Sequence, residues 1–164
     1  MRSARFFHAV LFALAVPLGA AGAPCSDPDH RRFDFWLGEW NVYRPDGTLA
    51  GTNRIEREYG GCVVHERYEG AKGYRGESLN VWDAGRGVWH QTWVDDQGLL
   101  LLLDGGIRDG AMVLEGRAPG PDGERVEHRI TWRPNPDGSV RQRWETRAPG
   151  GAWSTAFDGT YRRR

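Results

Sequence analysis

Lysine is almost missing from this chain. Lys72 is the only lysine, and the other 21 of the 22 basic residues are arginine. The 22 acidic residues balance them, so the formal net charge is zero. A chain without excess positive charge lacks the electrostatic footprint of a nucleic-acid-binding protein, so no nucleic-acid partner is expected. No apolar segment with a 3.6-residue period follows residue 23, which argues against a helical domain.

The common motifs of catalytic and metal sites are missing as well. The chain has no Gly-x-Ser-x-Gly motif, no His-Glu-x-x-His motif and no glycine-rich phosphate loop between a strand and a helix. His30, His65, His90 and His128 lie on different segments without the spacing of metal ligands. We therefore predict no catalytic residue, no metal site and no cofactor. The alternative for a cofactor is a haem with His128 as its axial ligand.

The N-terminus carries the one long apolar run. Arg2 and Arg5 precede a stretch at 6–16 that is apolar except for His8, and small residues occupy 19–23. This order is typical of a secretory signal peptide, and the run is too short to span a bilayer comfortably. We expect residues 1–23 to be removed, with the cleavage site between 20 and 23, and the protein to be periplasmic or secreted. A segment at 24–36 then precedes a single domain at 37–164.

Only two cysteines are present, Cys25 and Cys62. Export takes a protein into an oxidising compartment, where such a pair can form a disulfide. We predict a Cys25–Cys62 bridge, against the alternative of two free thiols. A bonded pair also excludes a thiol nucleophile.

Glycine is frequent, and it recurs every 12 to 15 residues from Gly47 to Gly150. Pro-Asp-Gly stands at 45–47, 121–123 and 136–138. This tripeptide favours tight turns because proline presets φ and glycine accepts a positive one. The segments between the turns are rich in β-branched and aromatic residues and predict ten strands. They span 37–43, 49–59, 62–69, 77–82, 88–94, 99–103, 112–117, 125–133, 140–147 and 153–162.

Ten sequential strands joined by short turns predict an antiparallel meander. Closure removes the exposed edges of a sheet, so we predict an all-β, up-and-down barrel rather than a sandwich. A transmembrane barrel would have an apolar outer face and a polar lumen. Here Arg129, Arg141 and Arg143 share the outward phase while the inward phase is largely apolar, which is the pattern of a barrel in water. The only helical turn is expected within 29–36.

The segment 33–40, FDFWLGEW, contains Gly-x-Trp at the start of the first predicted strand. It resembles the opening of a bacterial family of secreted, lipocalin-like proteins of unknown function, and 89–95 and 157–161 are similar to later blocks of that family. The resemblance implies a calycin-type barrel and export, and it supplies no catalytic residues. In lipocalins the tryptophan of this motif plugs one barrel end beneath an arginine of the last strand. That implies the same role for Trp40, with Arg162, Arg163 or Arg164 above its ring.

Strand alternation places polar as well as apolar side chains in the interior. A buried polar group left unpaired costs about 1–3 kcal/mol, so these groups indicate either a self-satisfied network or a ligand pocket. On 88–94 we expect Trp89, Gln91 and Trp93 to face inward, whereas on 77–82 both phases remain open. The pocket candidates are Glu66, Asn80, Gln91, Trp93, His128, Trp132, Gln142 and Trp144.

Three functions fit these observations. The favoured one is an exported barrel that binds a small, partly apolar ligand without catalysis. An enzyme with Glu66 and His128 as acid–base groups is the second, and it requires the two side chains to meet. The third is a cavity-free envelope protein that binds another protein, with the five leucines at 99–103 as an exposed association surface. An enclosed cavity would separate the first two from the third.

Overall fold

The computed structural model describes residues 23–120 and 122–164, so the predicted signal peptide lies outside the described residues except for Ala23. The helical turn expected within 29–36 is divided between α1 (Pro28–Arg31) and a 3₁₀ turn (Asp34–Trp36). The Asp27 side chain caps α1 by accepting the backbone N–H groups of Asp29 and His30, which have no partner within the helix. Among the described residues, no helix is long and apolar enough to cross a membrane.

Ten antiparallel strands follow, and they confirm the predicted barrel. Each strand pairs with its neighbours in sequence, and the barrel closes where the first strand pairs with the last, with Val42 opposite Tyr161. A 3₁₀ turn (Tyr59–Gly61) separates the second and third strands. The strands are β1 (Gly38–Tyr43), β2 (Leu49–Glu58), β3 (Val63–Gly70), β4 (Arg75–Asp83), β5 (Val88–Asp95), β6 (Leu100–Arg108), β7 (Ala111–Pro119), β8 (Arg125–Pro134), β9 (Val140–Arg147) and β10 (Ser154–Arg163).

β6 departs most from the sequence-based prediction, which ended it at Leu103. The strand continues through Gly105 and Gly106 to Arg108. A Cβ atom at Gly105 would lie 2.0 Å from the carbonyl oxygen of Val113 on β7. Glycine therefore extends the strand here, because it allows β7 to approach more closely than any side chain would permit.

The leucine run at 99–103 alternates once it is placed in the barrel. Leu101 and Leu103 are buried, whereas Leu100 and Leu102 are 55% and 48% exposed. On β4 the open phase resolves with Ser78 and Asn80 inward. The outward-facing apolar side chains of three adjacent strands are Leu79 on β4, Val94 on β5, and Leu100 and Leu102 on β6.

Aromatic residues of the N-terminal segment close one end of the barrel. Phe33 stacks on Trp36 with ring centroids 4.9 Å apart, and its edge meets Trp89 of β5 at 5.6 Å and Trp132 of β8 at 5.3 Å. Trp36 also contacts Tyr161 of β10. Because β5, β8 and β10 lie on different sides of the barrel, the segment crosses its interior and forms a floor. We call these five side chains the aromatic floor.

Trp40 is fully buried beside this floor. Its Nε1 donates a 2.9 Å hydrogen bond to the carbonyl oxygen of Trp36, and the guanidinium of Arg163 lies 4.5 Å from its ring centroid. A Cβ atom at Gly38 would lie 2.5 Å from Nη1 of Arg163, and Gly38 also has φ +134°. The Gly-x-Trp pair therefore makes room for a cation–π contact between the first and last strands.

A disulfide joins Cys25 to Cys62, as predicted, with the Cα atoms 5.0 Å apart. It attaches the N-terminal segment to the chain just before β3. Arg57 of β2 adds hydrogen bonds to the carbonyl oxygens of His30, at 2.8 Å, and Gly61, at 2.6 Å. The disulfide and Arg57 together hold the aromatic floor against the barrel.

Candidate ligand-binding cavity

The other half of the barrel contains a cavity of about 430 Å³ that is open to solvent at a mouth. Its mouth is formed near the ends of β3 and β5 and the starts of β4 and β10, away from the N-terminal segment. Tyr74, Asp95 and Leu99 line the mouth, and Trp132 of the aromatic floor lies at its inner end. The barrel is therefore packed solid at one end and hollow at the other.

Six of the eight sequence-predicted pocket residues line this cavity, and two do not. The six are Glu66, Gln91, Trp93, Trp132, Gln142 and Trp144. Asn80 is fully buried, and its side chain bonds to Gln91 and Ser78. His128 instead lines a cleft of about 400 Å³ together with Arg117, Glu127, Arg147 and Trp153.

Glu66 is the buried carboxyl group of the cavity. Nδ2 of Asn53 donates to its Oε1 at 2.7 Å, and Oγ of Ser78 donates to its Oε2 at 2.6 Å. Burial raises the pKa of Glu66 from 4.5 to about 7, although the hydrogen bonds from Ser78 and Asn53 oppose that rise. The Glu66 carboxyl is therefore partly protonated and partly ionised near neutral pH.

A polar network extends from Glu66 in both directions. Beyond Ser78, Nδ2 of Asn80 donates to Oγ of Ser78 at 2.9 Å, and Nε2 of Gln91 donates to Oδ1 of Asn80 at 2.8 Å. Beyond Asn53, the hydroxyl of Tyr161 accepts from Asn53 at 3.3 Å and donates to Oε1 of Gln142. Oδ1 of Asn53 is buried and has no hydrogen-bond partner.

Asp95 accepts four hydrogen bonds at the mouth of the cavity. It accepts hydrogen bonds from the Tyr74 hydroxyl at 2.8 Å, from Nε1 of Trp93 at 3.3 Å, and from the backbone N–H groups of Gln97 and Leu99 at 3.0 Å each. Partial burial opposes ionisation, but these hydrogen bonds hold the pKa of Asp95 below its usual 3.8. Asp95 is therefore ionised at neutral pH.

The side chain of Trp93 requires a glycine on the neighbouring strand. A Cβ atom at Gly76 of β4 would lie 2.2 Å from the Trp93 ring. With no side chain there, the ring lies over the backbone of β4 and stacks with Tyr74 at 6.5 Å. The aromatic wall at the mouth thus depends on the pairing of β4 with β5.

Glu66 and His128 do not form an acid–base pair. Glu66 bonds to Asn53 and Ser78, whereas Nδ1 of His128 accepts the indole N–H of Trp144 at 3.1 Å. Burial lowers the pKa of His128, which favours its neutral form. His128 does not line the cavity, so the structure does not fit a haem held there by this residue.

Sequence reasoning missed several residues of the site. Strand alternation predicts Asn53 inward and leaves Ser78 in one of the two open phases of 77–82, but nothing in a sequence shows that they bond the same carboxyl group. Tyr161 shares an inward phase with Phe157, so strand alternation could have found it. Asp95 lies at the end of β5, where alternation no longer indicates which way a side chain faces.

No protein-family model matches the chain, and no curated protein matches it. Within residues 23–120 and 122–164, no three His, Cys, Asp or Glu side chains are grouped so that they could hold a metal ion.

Replacing Glu66 with glutamine is expected to flatten the pH dependence of stability. The pKa of this carboxyl is about 7 in the folded protein and 4.5 without burial, so the folded state binds the proton more tightly. Below pH 4.5 the protonated Glu66 carboxyl therefore stabilises the folded state by about 3 kcal/mol. This stabilisation is lost as the pH rises through 7. Urea unfolding at pH 5 and pH 8 measures the change.

Glu69→Gln is the matched control, because it removes an exposed carboxyl from the same strand. The wild type and Glu69→Gln should both lose stability between pH 5 and pH 8, and Glu66→Gln should lose about 3 kcal/mol less. An unchanged slope in Glu66→Gln would show that Glu66 is not the titrating group.

Proposed function

We propose that this protein is an exported, calycin-type barrel that binds a small, partly apolar molecule in its cavity without transforming it. One observation carries the proposal: a cavity of about 430 Å³ inside a closed barrel, with aromatic walls and a few polar groups. A small-molecule site has this size and this mixture of apolar surface with a few orienting polar groups.

The periplasm, or the space outside the cell, is the proposed location. The Cys25–Cys62 bridge supports it, because disulfides persist in oxidising compartments. The basic, apolar and small residues of 1–23 support it independently as a signal peptide. In this proposal the mature protein consists of the segment 24–36 and one barrel domain, 37–164.

The cavity also favours binding over the two other functions. An enzyme with Glu66 and His128 as acid–base groups needs them in contact, and they bond to different partners. A cavity-free envelope protein needs a barrel filled by its own side chains. Here only the end at the aromatic floor is filled, so the hollow end supports a ligand.

Native mass spectrometry of the protein purified from its own host tests the proposal. We expect an additional mass of a few hundred daltons that is lost under denaturing conditions. The proposal fails if no mass is retained and if no apolar dye that is fluorescent in cavities binds to the purified barrel.

Replacing Trp144 with alanine is expected to reduce ligand retention more than it reduces stability. The Trp144 side chain is half-buried, lines the cavity and donates to His128. Because one side of the indole faces the hollow, its loss should cost less than the about 3–5 kcal/mol of a fully packed tryptophan. The retained mass in native spectra and the urea midpoint measure the two effects.

Trp153→Ala is the matched control. Trp153 lies in the outer cleft, with the guanidinium groups of Arg129 and Arg147 at 4.2 Å and 4.5 Å from its ring. It should leave ligand retention unchanged. A Trp144→Ala variant with wild-type retention would remove Trp144 from the ligand site.

A further inference from the structure

The charges of the cavity all have one sign. Glu66 and Asp95 line it, and among the described residues no lysine, arginine or histidine does. This is notable in a chain with 22 basic residues, a number equal to its acidic ones. A low-dielectric cavity with only acidic groups attracts cations and repels anions, since few other charges screen it.

Glu66 has unused capacity to accept hydrogen bonds. A carboxylate accepts about four hydrogen bonds, and the protein supplies two, from Asn53 and Ser78. Glu66 can therefore accept further hydrogen bonds, and a ligand in the cavity that donates them would use this capacity.

Asp95 has a different role, because hydrogen bonds from the protein already use its capacity to accept them. Four hydrogen bonds from Tyr74, Trp93, Gln97 and Leu99 occupy its two oxygens. It contributes a fixed negative charge at the mouth and leaves direct contact with a ligand to Glu66. The charge at the mouth would draw a cation inward.

The walls of the cavity suit the rest of such a ligand. Tyr68, Tyr74 and Trp93 stand on one side, and Trp144 and Phe157 stand on the other. Aromatic faces carry partial negative charge and attract ammonium groups, and they also stack on flat apolar rings. This combination of aromatic faces and carboxylates is complementary to an organic cation.

We infer that the cavity takes a protonated amine, a ligand with a primary or secondary ammonium group on a flat, apolar body. The ammonium group donates to Glu66, and the apolar body lies between the aromatic walls. The inference rests on the proposed function and names the ligand class for the same cavity. Carboxylate ligands such as fatty acids are disfavoured.

The binding of an amine is expected to strengthen with pH. The groups that face Glu66 from other strands are Asn53 of β2, Ser78 of β4 and Tyr161 of β10. Only Tyr161 titrates, and burial raises its pKa well above the usual 10.

On β3 itself, burial raises the pKa of Tyr68 as well, and His65 lies on the outer face between Glu58 and Glu77. Asp95 stays ionised because its pKa is lowered. Glu66 is therefore the group inside the cavity that gains charge between pH 5.5 and pH 8.

Isothermal titration calorimetry with three matched indoles tests the inference. Tryptamine is cationic, indole-3-ethanol is neutral and indole-3-acetate is anionic, while the ring is the same. At pH 8 we expect tryptamine to bind at least tenfold more tightly than indole-3-ethanol, and indole-3-acetate to bind more weakly than both. The tenfold preference should shrink at pH 5.5.

Two variants test whether Glu66 causes the preference for the amine. In Glu66→Gln the ratio of tryptamine to indole-3-ethanol affinity should fall towards one at both pH values. In Glu69→Gln, which removes an exposed carboxyl of β3 outside the cavity, the ratio should match the wild type. A ratio that Glu66→Gln leaves unchanged would contradict the role given to Glu66.

The remaining outcomes separate the inference from the proposed function. If indole-3-ethanol or indole-3-acetate binds as tightly as tryptamine, the cavity binds ligands but does not select amines, and the inference alone fails. The inference alone also fails if the natural ligand retained in native spectra is neutral or anionic. If no indole binds and native spectra show no retained mass, both the proposed function and the inference fail.

Discussion

Replacing Trp36 with alanine is expected to lower the free energy of unfolding by about 3–5 kcal/mol. Trp36 is fully buried and packs on Phe33, Trp132 and Tyr161. Its neighbours come from β8, β10 and the N-terminal segment, so they are held apart by the barrel and cannot collapse into the space. The change therefore leaves a cavity in the filled end of the barrel.

Chemical denaturation monitored by circular dichroism measures this loss. Trp36→Phe is the matched control, because it keeps a large aromatic ring in the floor and removes the five-membered ring of the indole, whose N–H is buried without a partner. It should cost less than half as much. A Trp36→Ala variant within about 1 kcal/mol of the wild type would show that the aromatic floor is not part of the stable core.

Removing the disulfide has the second large effect that we expect. In Cys25→Ser/Cys62→Ser the free energy of unfolding should fall by about 3–4 kcal/mol, because the bridge joins residues 37 positions apart and restricts the unfolded chain. The folded state should also loosen, since the bridge holds the N-terminal segment that supplies Phe33 and Trp36 to the floor.

The wild type in a reducing agent is the internal control for that variant. Reduced wild type and the double variant should unfold at the same denaturant concentration, below that of the oxidised protein. Equal midpoints in all three samples would contradict the stabilising role. An amide-exchange measurement should show faster exchange in 24–36 once the bridge is absent, because the bridge is the covalent bond that fixes this segment to Cys62.

Much of the barrel could be predicted from local sequence. Pro-Asp-Gly at 45–47 and 136–138 precedes β2 and β9, and period-two alternation in 125–133 and 140–147 correctly assigned the inward faces of β8 and β9. These features are readable because turn chemistry and side-chain alternation depend on neighbours a few residues away. The two cysteines were equally readable, since each had one possible partner.

The inward face of β4 and the full length of β6 could not be predicted from local sequence. In 77–82 the polar Ser78 and Asn80 share one face and the apolar Leu79 and Val81 share the other, so hydrophobicity does not indicate that Asn80 points inward. The pairing of Asn80 with Val64 and Gln91 on the flanking strands decides it. β6 continues past Leu103 through Gly105, where β7 approaches it closely. In both strands, pairing with neighbouring strands decides what the local sequence leaves open.

The cavity depended still more on the tertiary structure. Local sequence was enough to predict the strand number, the turns, the disulfide and most of the side chains that face inward. It did not determine that Asn53 and Ser78 bond to Glu66, that His128 bonds to Trp144 instead, or that one barrel end is filled while the other is hollow. Those features depend on which strands lie side by side and how far the N-terminal aromatics reach into the barrel, and such distances arise only when residues far apart in the chain are brought together by closure.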